Sequence, residues 1–389
     1  MDFDTPINRY HTNSLKYDFA VENGYPADVL PLWVADMDFR VPEPVQKALS
    51  HAVQHGIFGY SDTKQDYFDA VAHWFQSRFH WSVEADWLVK TPGVVFALAT
   101  AVRALTNPGD AVLIQPPVYR PFSRVVLDNG RKLVESPLLL QDGQYRIDFA
   151  DLEQKIVENQ VRLFLLCSPH NPVGRVWTRA ELETLGSICK RHSVFVVSDE
   201  IHCDFAFPAH PHTVFLDANP SLAAQTIICT APSKTFNLAG LQISNIWIPD
   251  GVIRKAFCTE MQRVGYSHPN ALGIVACQAA YSEGADWLAA CTAYLRENLN
   301  FLRHFLQTHL PQLHLIEPEG TYFAWVDCSG LGLDSRSLNN LIRNQARLWL
   351  DAGSIFGACA KQFQRIVLAC PRSTLEQALL QLEAAIRSQ

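Results

Sequence analysis

Two kinds of periodicity divide the chain. Residues 46–56, and more strongly 64–79, carry apolar positions at helical spacing, with Phe68, Val71, Ala72 and Phe75 on one stripe of the second segment. From about residue 88 the pattern changes to short apolar runs rich in branched residues: 111–115 (AVLIQ), 161–167 (VRLFLLC), 193–198 (SVFVVS), 226–230 (TIICT) and 243–248 (ISNIWI). Amphipathic helical stretches separate the early runs, as at 179–192 (RAELETLGSICKRH). Strands that are apolar along their whole length and alternate with helices predict a mostly parallel sheet covered on both faces. A long helical stretch over 283–309 then leads to strands near 313–316, 322–327 and 365–369 and a last helix over 374–387. The first 45 residues, rich in Pro, Asp and aromatics, read as an irregular arm. The pattern therefore predicts a large α/β domain over 46–285, and a small α+β domain of 286–389 joined by the 1–45 arm.

Composition removes several classes of function. The 389 residues are 48% hydrophobic and 18% charged, ordinary values for a globular chain. A net charge of −7, with no dense Lys/Arg run, argues against nucleic acid as a partner. The acidic start, Met1 to Pro6, lacks the apolar core of a secretory signal, and the most apolar stretches stop short of a membrane span. Ten cysteines without a C-x-x-C pair suit reduced thiols, so a cytoplasmic protein is expected. His210-Pro211-His212 reads as a surface turn without a third ligand nearby, and no metal is expected there.

In sheets of this kind, ligand groups gather just beyond the C-terminal ends of strands, and of five candidate clusters three directly follow an apolar run. Gly93-Val94-Val95 is a glycine turn opening a helix, whose N–H groups either bind an anion or simply make the turn. In Cys167 to Gly174, two prolines and a glycine would aim Asn171 into the crevice, or serve only as a turn. Asp199 ends a buried run and needs a partner such as a positive ring nitrogen, while Glu200 points to the opposite side. His202 either bonds within that pocket or is a core histidine. Lys234, among apolar residues and with a small hydroxyl neighbour, reads as an imine-forming amine of lowered pKa or as a surface lysine. Arg365, on an apolar strand, suits bidentate binding of a carboxylate, with a structural ion pair as the alternative and the preferred reading for Arg372.

In order, the glycine turn, Tyr119 in P-P-V-Y, N-P-x-G, D-x-x-H, S-K-T-F-N and a late arginine resemble the aspartate-aminotransferase superfamily, the fold-type I pyridoxal-5′-phosphate (PLP) enzymes. LPLWVADMDF at 30–39, FGY at 58–60 and SPHNPVGRVW at 168–177, with DEIH, PSKTFNLAGLQ and ACPR, look like its cystathionine β-lyase (C–S lyase) branch of the MalY/PatB type. The resemblance spans nearly the whole chain and implies a seven-stranded, mostly parallel sheet. It implies that Lys234 is the Schiff-base lysine, Asp199 pairs with the pyridine nitrogen, Asn171 bonds the ring's phenolic oxygen and Tyr119 stacks on the ring. Phosphate would be held by the N–H groups of Val94 and Val95, by Ser233, and by Tyr60 of the neighbouring subunit of a homodimer. Arg365 would hold the substrate α-carboxylate, and His202 stands where aspartate-type aminotransferases place a tyrosine.

The implied reaction is α,β-elimination of cystathionine, cysteine or related S-conjugates to pyruvate, ammonia and a thiol, with Lys234 as the base. An aminotransferase of the same fold, or a regulatory PLP-binding protein with a protein partner, would carry largely the same residues. Four positions depart from the family pattern: Val367 for an asparagine, Ala358-Cys359-Ala360-Lys361-Gln362 for a glycine-rich stretch, Arg120 for an aromatic and Gln242 for the arginine of aspartate-type enzymes.

Overall fold

Every residue of the 163–167 and 226–230 runs is buried, as strands covered on both faces require. In the computed structural model, which describes all 389 residues, they are two of seven strands in one sheet. The strands are β1 (Leu88–Thr91), β2 (Ala111–Ile114), β3 (Lys132–Glu135), β4 (Leu163–Cys167), β5 (Phe195–Asp199), β6 (Thr226–Thr230) and β7 (Ser244–Trp247). Their spatial order is β1-β7-β6-β5-β4-β2-β3. β7 runs antiparallel to both its neighbours and the other pairs are parallel. The two strands that hydrophobic patterning did not mark, β1 (LVKT) and β3 (KLVE), are the sheet edges, where one side faces no partner and charged residues are tolerated.

From β2 the chain moves to β3 on one side and returns to β4 on the other, so a crevice opens between the ends of β2 and β4. The helix Ala271–Glu283 also escaped the pattern. Its sequence, ALGIVACQAAYSE, is apolar nearly all round because it packs against both the Glu43–His55 and Gln65–Phe79 helices, leaving no polar face to set a period.

A second, antiparallel sheet holds β8 (His314–Ile316), β9 (Phe323–Asp327), β10 (Asp351–Ala352) and β11 (Phe363–Val367), in the order β8-β9-β11-β10. β11 starts two residues earlier than the apolar run suggests, which puts Arg365 in mid-strand. The last helix spans Arg372–Arg387.

The irregular arm is part of the interior. Phe3, Met37 and Phe39 belong to the same apolar cluster as Trp74, Trp177 and Trp247 around the large sheet and Phe323 and Val367 of the second sheet. The Phe3 ring lies 5.0 Å from that of Phe39 and 5.9 Å from that of Trp287. Each such side chain taken from water stabilises the docked arm by about 1.5–3 kcal/mol. Charge fixes it further: fully buried Lys16 meets Asp38 at 2.8 Å, and Arg9 bridges Asp38 at 2.7 Å and Asp36 at 2.6 Å. A buried ammonium is tolerated only with such a partner. No helix is long and apolar enough to cross a membrane.

Candidate active site

Four strand ends and the arm build one site. Asp199 closes β5, where its buried carboxylate accepts from Ile201 N–H at 3.1 Å and has no cation within ion-pair distance. Burial raises it to about 7, with Glu200 adding to the rise while the Ile201 N–H and Lys234 oppose it. A positively charged ring nitrogen would satisfy such a group.

Glu200, one residue on, faces the other way, as strand alternation dictates. There it accepts from Ser198 Oγ and Phe215 N–H, both at 2.9 Å, and meets His212 Nε2 at 2.8 Å. His212 is consequently buried, a correction to the surface turn expected for 210–212: the buried carboxylate draws it inward.

Lys234 sits on a single helical turn, Pro232–Thr235, after β6, and its Nζ donates to Ala35 O at 2.8 Å. Burial lowers its pKa to about 8, partly offset by Asp36. An amine so placed is neutral over a usable pH range, as an imine-forming nucleophile must be. Ser233 is half-buried on the same turn.

Asn171 links Tyr119 to Arg365. Its backbone O accepts from Tyr119 N–H at 3.0 Å, and its Oδ1 accepts from Arg365 NH1 at 2.7 Å, leaving Nδ2 as a donor. His170 Nε2 donates to Pro117 O at 2.9 Å, which joins the loops beyond β2 and β4; burial holds this imidazole near pKa 4 and therefore neutral. Arg365 also forms an ion pair with Asp351 and donates to Trp33 O at 3.0 Å. The structural ion pair read from the sequence is therefore present, and the guanidinium Nε is left without a partner. Arg372 makes no ion pair; it donates to Asn298 Oδ1 at 2.8 Å and lies 4.6 Å from the Phe301 ring, which corrects the salt bridge expected of it.

The helix Val94–Leu105 begins at Gly93 with no side-chain cap, whereas Asp148, Thr178, Asp250 and Asn270 cap their own helices. First-turn N–H groups such as those of Val94 and Val95 have no acceptor within the helix. A Cβ placed on Gly93 would meet nothing within 4 Å, so there is open space over these donors. An anionic group fits there, on the positive end of the helix dipole.

His202 is buried and neutral, but it packs edge-on to Tyr322 and Phe323, and its Nδ1 has no partner in place of the expected pocket hydrogen bond. Tyr60 is 95% exposed beside Ile57 (73%) and Phe58 (60%), so it is not a core tyrosine of its own subunit.

Four contributors were not marked by residue type: the Ala35 carbonyl, the Tyr322 hydroxyl that donates to it at 3.0 Å, Asp351, and Asn237. Asn237 accepts from Met37 N–H at 2.9 Å and donates to Met37 O at 2.9 Å and Phe39 O at 3.0 Å, fastening the arm to the Lys234 loop.

Fold and site together define a member of the class I and II aminotransferases: the chain belongs to this family, whose description matches residues 27–382. It is 44% identical over 386 residues to cystathionine beta-lyase PatB of Bacillus subtilis (strain 168), covering 99% of this chain and 100% of that one. It is 32% identical to protein MalY of Escherichia coli (strain K12), over 100% and 99% of the two chains. Among solved structures, cystalysin from Treponema denticola, described as containing a pyridoxal 5′-phosphate cofactor, superposes with a TM-score of 0.96 at 37% identity, covering 100% of this chain and 99% of that one.

Proposed function

We propose that this protein is a PLP-dependent C–S β-lyase that converts cystathionine, cysteine or related S-conjugates to pyruvate, ammonia and a thiol. The observation that carries the reading is that a lysine lowered to about 8, a buried acid without a cation and an uncapped helix N-terminus follow β6, β5 and β1, strands that run the same way and so end at one edge of the sheet. End-to-end similarity to a cystathionine beta-lyase supports the choice of reaction.

When bound, the cofactor supplies an electron sink for the charge left at the substrate Cα. The chain's residues then divide the work. Lys234 Nζ holds the cofactor and takes the Cα proton. Asp199 keeps the ring nitrogen protonated, and Asn171 Nδ2 donates to the phenolic oxygen while its Oδ1 steadies Arg365. Tyr119 covers the ring, Val94 and Val95 N–H groups with Ser233 hold the phosphate, and Arg365 takes the α-carboxylate. His202 closes the pocket through its aromatic neighbours. The active unit is a homodimer in which Tyr60 reaches the partner's phosphate, a role supported by its exposure. A cytoplasmic setting is supported by ten free thiols, eight of them buried.

Elimination expels a thiolate from Cβ, water hydrolyses the released enamine to pyruvate and ammonia, and no 2-oxo acid is consumed. Cystathionine or cystine should therefore give pyruvate without an added 2-oxo acid, and borohydride should fix PLP on Lys234. Turnover that appears only with a 2-oxo acid would make the protein an aminotransferase, and label on another lysine would overturn the site.

A further inference from the structure

A cavity of about 290 Å³ lies apart from the catalytic crevice, with Arg78, Asp204, Phe205, Phe207, Leu295 and Arg296 among its walls. We propose that it is a regulatory site for a small monoanion with an apolar body, such as a short branched carboxylate, and that its occupancy tunes Lys234.

Charge decides the ligand class. Asp204 is buried and fully engaged: it forms an ion pair with Arg78 Nε at 2.8 Å and accepts from Trp74 Nε1 at 3.1 Å and Thr235 Oγ1 at 2.7 Å. Arg78 turns Nε toward Asp204 in that ion pair and lies 4.9 Å from the Trp74 ring, so its terminal nitrogens remain as donors. Arg296 is exposed and takes part in no ion pair. Two guanidiniums against one carboxylate leave a single positive charge, and their planar forks suit a carboxylate. Most of the remaining wall is apolar, from Phe205, Phe207, Pro208, Ala289, Ala293 and Leu295. A few polar groups set in apolar walls is the usual make-up of a small-molecule site, and this volume lies at the small end of the range.

Two connections run from the cavity to Lys234. Thr235, which holds Asp204, is its immediate neighbour in the chain. On the other wall, Thr321 N–H donates to Phe205 O at 3.0 Å, with Thr321 at φ 70°, a conformation costly for a β-branched residue. The next residue, Tyr322, donates to Ala35 O, the same carbonyl that accepts from Lys234 Nζ. A ligand that moves Asp204 or the Phe205–Thr321 contact therefore bears on both anchors of the lysine.

The test uses the holoenzyme with sodium 4-methylpentanoate as probe, inorganic phosphate as the purely polar control, and binding read by calorimetry. The probe should bind wild type and Arg365→Ala alike, and Arg296→Gln about tenfold more weakly, the loss expected for a charge-assisted bond. Basal turnover of Arg296→Gln should stay at the wild-type level. Saturating probe should also move the pH midpoint of kcat. No binding, or phosphate binding as well as the probe, overturns the ligand class. Loss of binding in Arg365→Ala but not in Arg296→Gln assigns the probe to the substrate site and overturns the second site. Binding without a shift of the pH midpoint overturns the coupling. Calorimetry reads the cavity whatever reaction the enzyme catalyses, so its outcome is separate from that of the lyase assay.

Discussion

Asp351 stands directly opposite Arg365 across the β10–β11 pair, and its Oδ2 accepts from the guanidinium NH2 as an ion pair. Asn171 and Trp33 O take further donors of the same arginine, and the Phe323 and Phe356 rings lie 4.4 and 4.9 Å from its Cζ. Only Nε has no partner. On the proposed role of Arg365, a substrate carboxylate would meet an arginine that already carries a counter-charge, and would have to share or displace Asp351. Burial raises the Asp351 carboxyl against the opposing pull of Arg365, so Asp351 is the partner that gives way. Asp351→Asn should therefore lower KM several-fold, while losing about 1–3 kcal/mol of stability from the weakened buried bond. Steady-state kinetics with a urea melt checks both; an unchanged KM would leave Asp351 a purely structural partner.

Removing the arginine itself tests the substrate end of the site. Loss of a partly desolvated arginine–carboxylate pair costs about 2–5 kcal/mol. Arg365→Ala should cut kcat/KM by tens-fold or more and keep the absorption of bound cofactor. Arg372 is no ready substitute, since its guanidinium is held by Asn298 over Phe301. Near-normal kcat/KM in the variant would show that the carboxylate is held elsewhere.

How far the sequence foretells this site depends on the kind of signal each part carries. The central strands announce themselves because both faces are buried, and they put Asn171, Asp199 and Lys234 at strand ends, but each of these has an ordinary structural reading and its role comes only from the resemblance. Edge strands β1 and β3 do not, since one side of each faces no neighbour. The Ala271–Glu283 helix hides for the opposite reason, being buried nearly all round. The Ala35 carbonyl is invisible because a backbone acceptor leaves no mark on residue type, even inside the distinctive 30–39 segment. Asp351 is missed because its strand has only two residues, too few to show an alternation. His212 is misplaced because prolines signal a turn, but say nothing of the buried Glu200 waiting for a donor.

Lys234 gives a prediction in pH. Its folded pKa lies near 8, below the ordinary 10.5. Below about 8 the protein stripped of cofactor holds an ammonium in surroundings that the unfolded chain would exchange for water. That opposes folding, and the penalty fades as pH rises from 8 toward 10.5. With Lys234 as the proposed Schiff-base lysine, the same titration governs capture of the cofactor, which requires the neutral amine. The rate at which stripped protein recaptures PLP should climb about tenfold per pH unit below the midpoint and level off above it. Stopped-flow absorption at a series of pH values reads this directly. A climb continuing past pH 10 would mean that Lys234 is not shielded from water as the structure has it.

Tyr60 supplies the test of the assembly. The phenol is 95% exposed, its ring lies 5.5 Å from that of His268, and the neighbouring Ile57 and Phe58 are exposed as well. Three exposed apolar side chains in four residues call for a covering surface, and in the proposed homodimer each Tyr60 hydroxyl would reach the other's phosphate site. Mixing Lys234→Ala chains, inactive, with Tyr60→Phe chains, weak in PLP binding, separates the possibilities. If Tyr60 acts across the interface, each hybrid dimer has one site with both defects and one with neither. The intact site should then restore activity toward half that of wild type per hybrid. If Tyr60 serves its own chain, every hybrid site carries one defect, and activity cannot rise above the average of the two parents. Light scattering comes first, because a fully active monomer would end the idea before any chains are mixed.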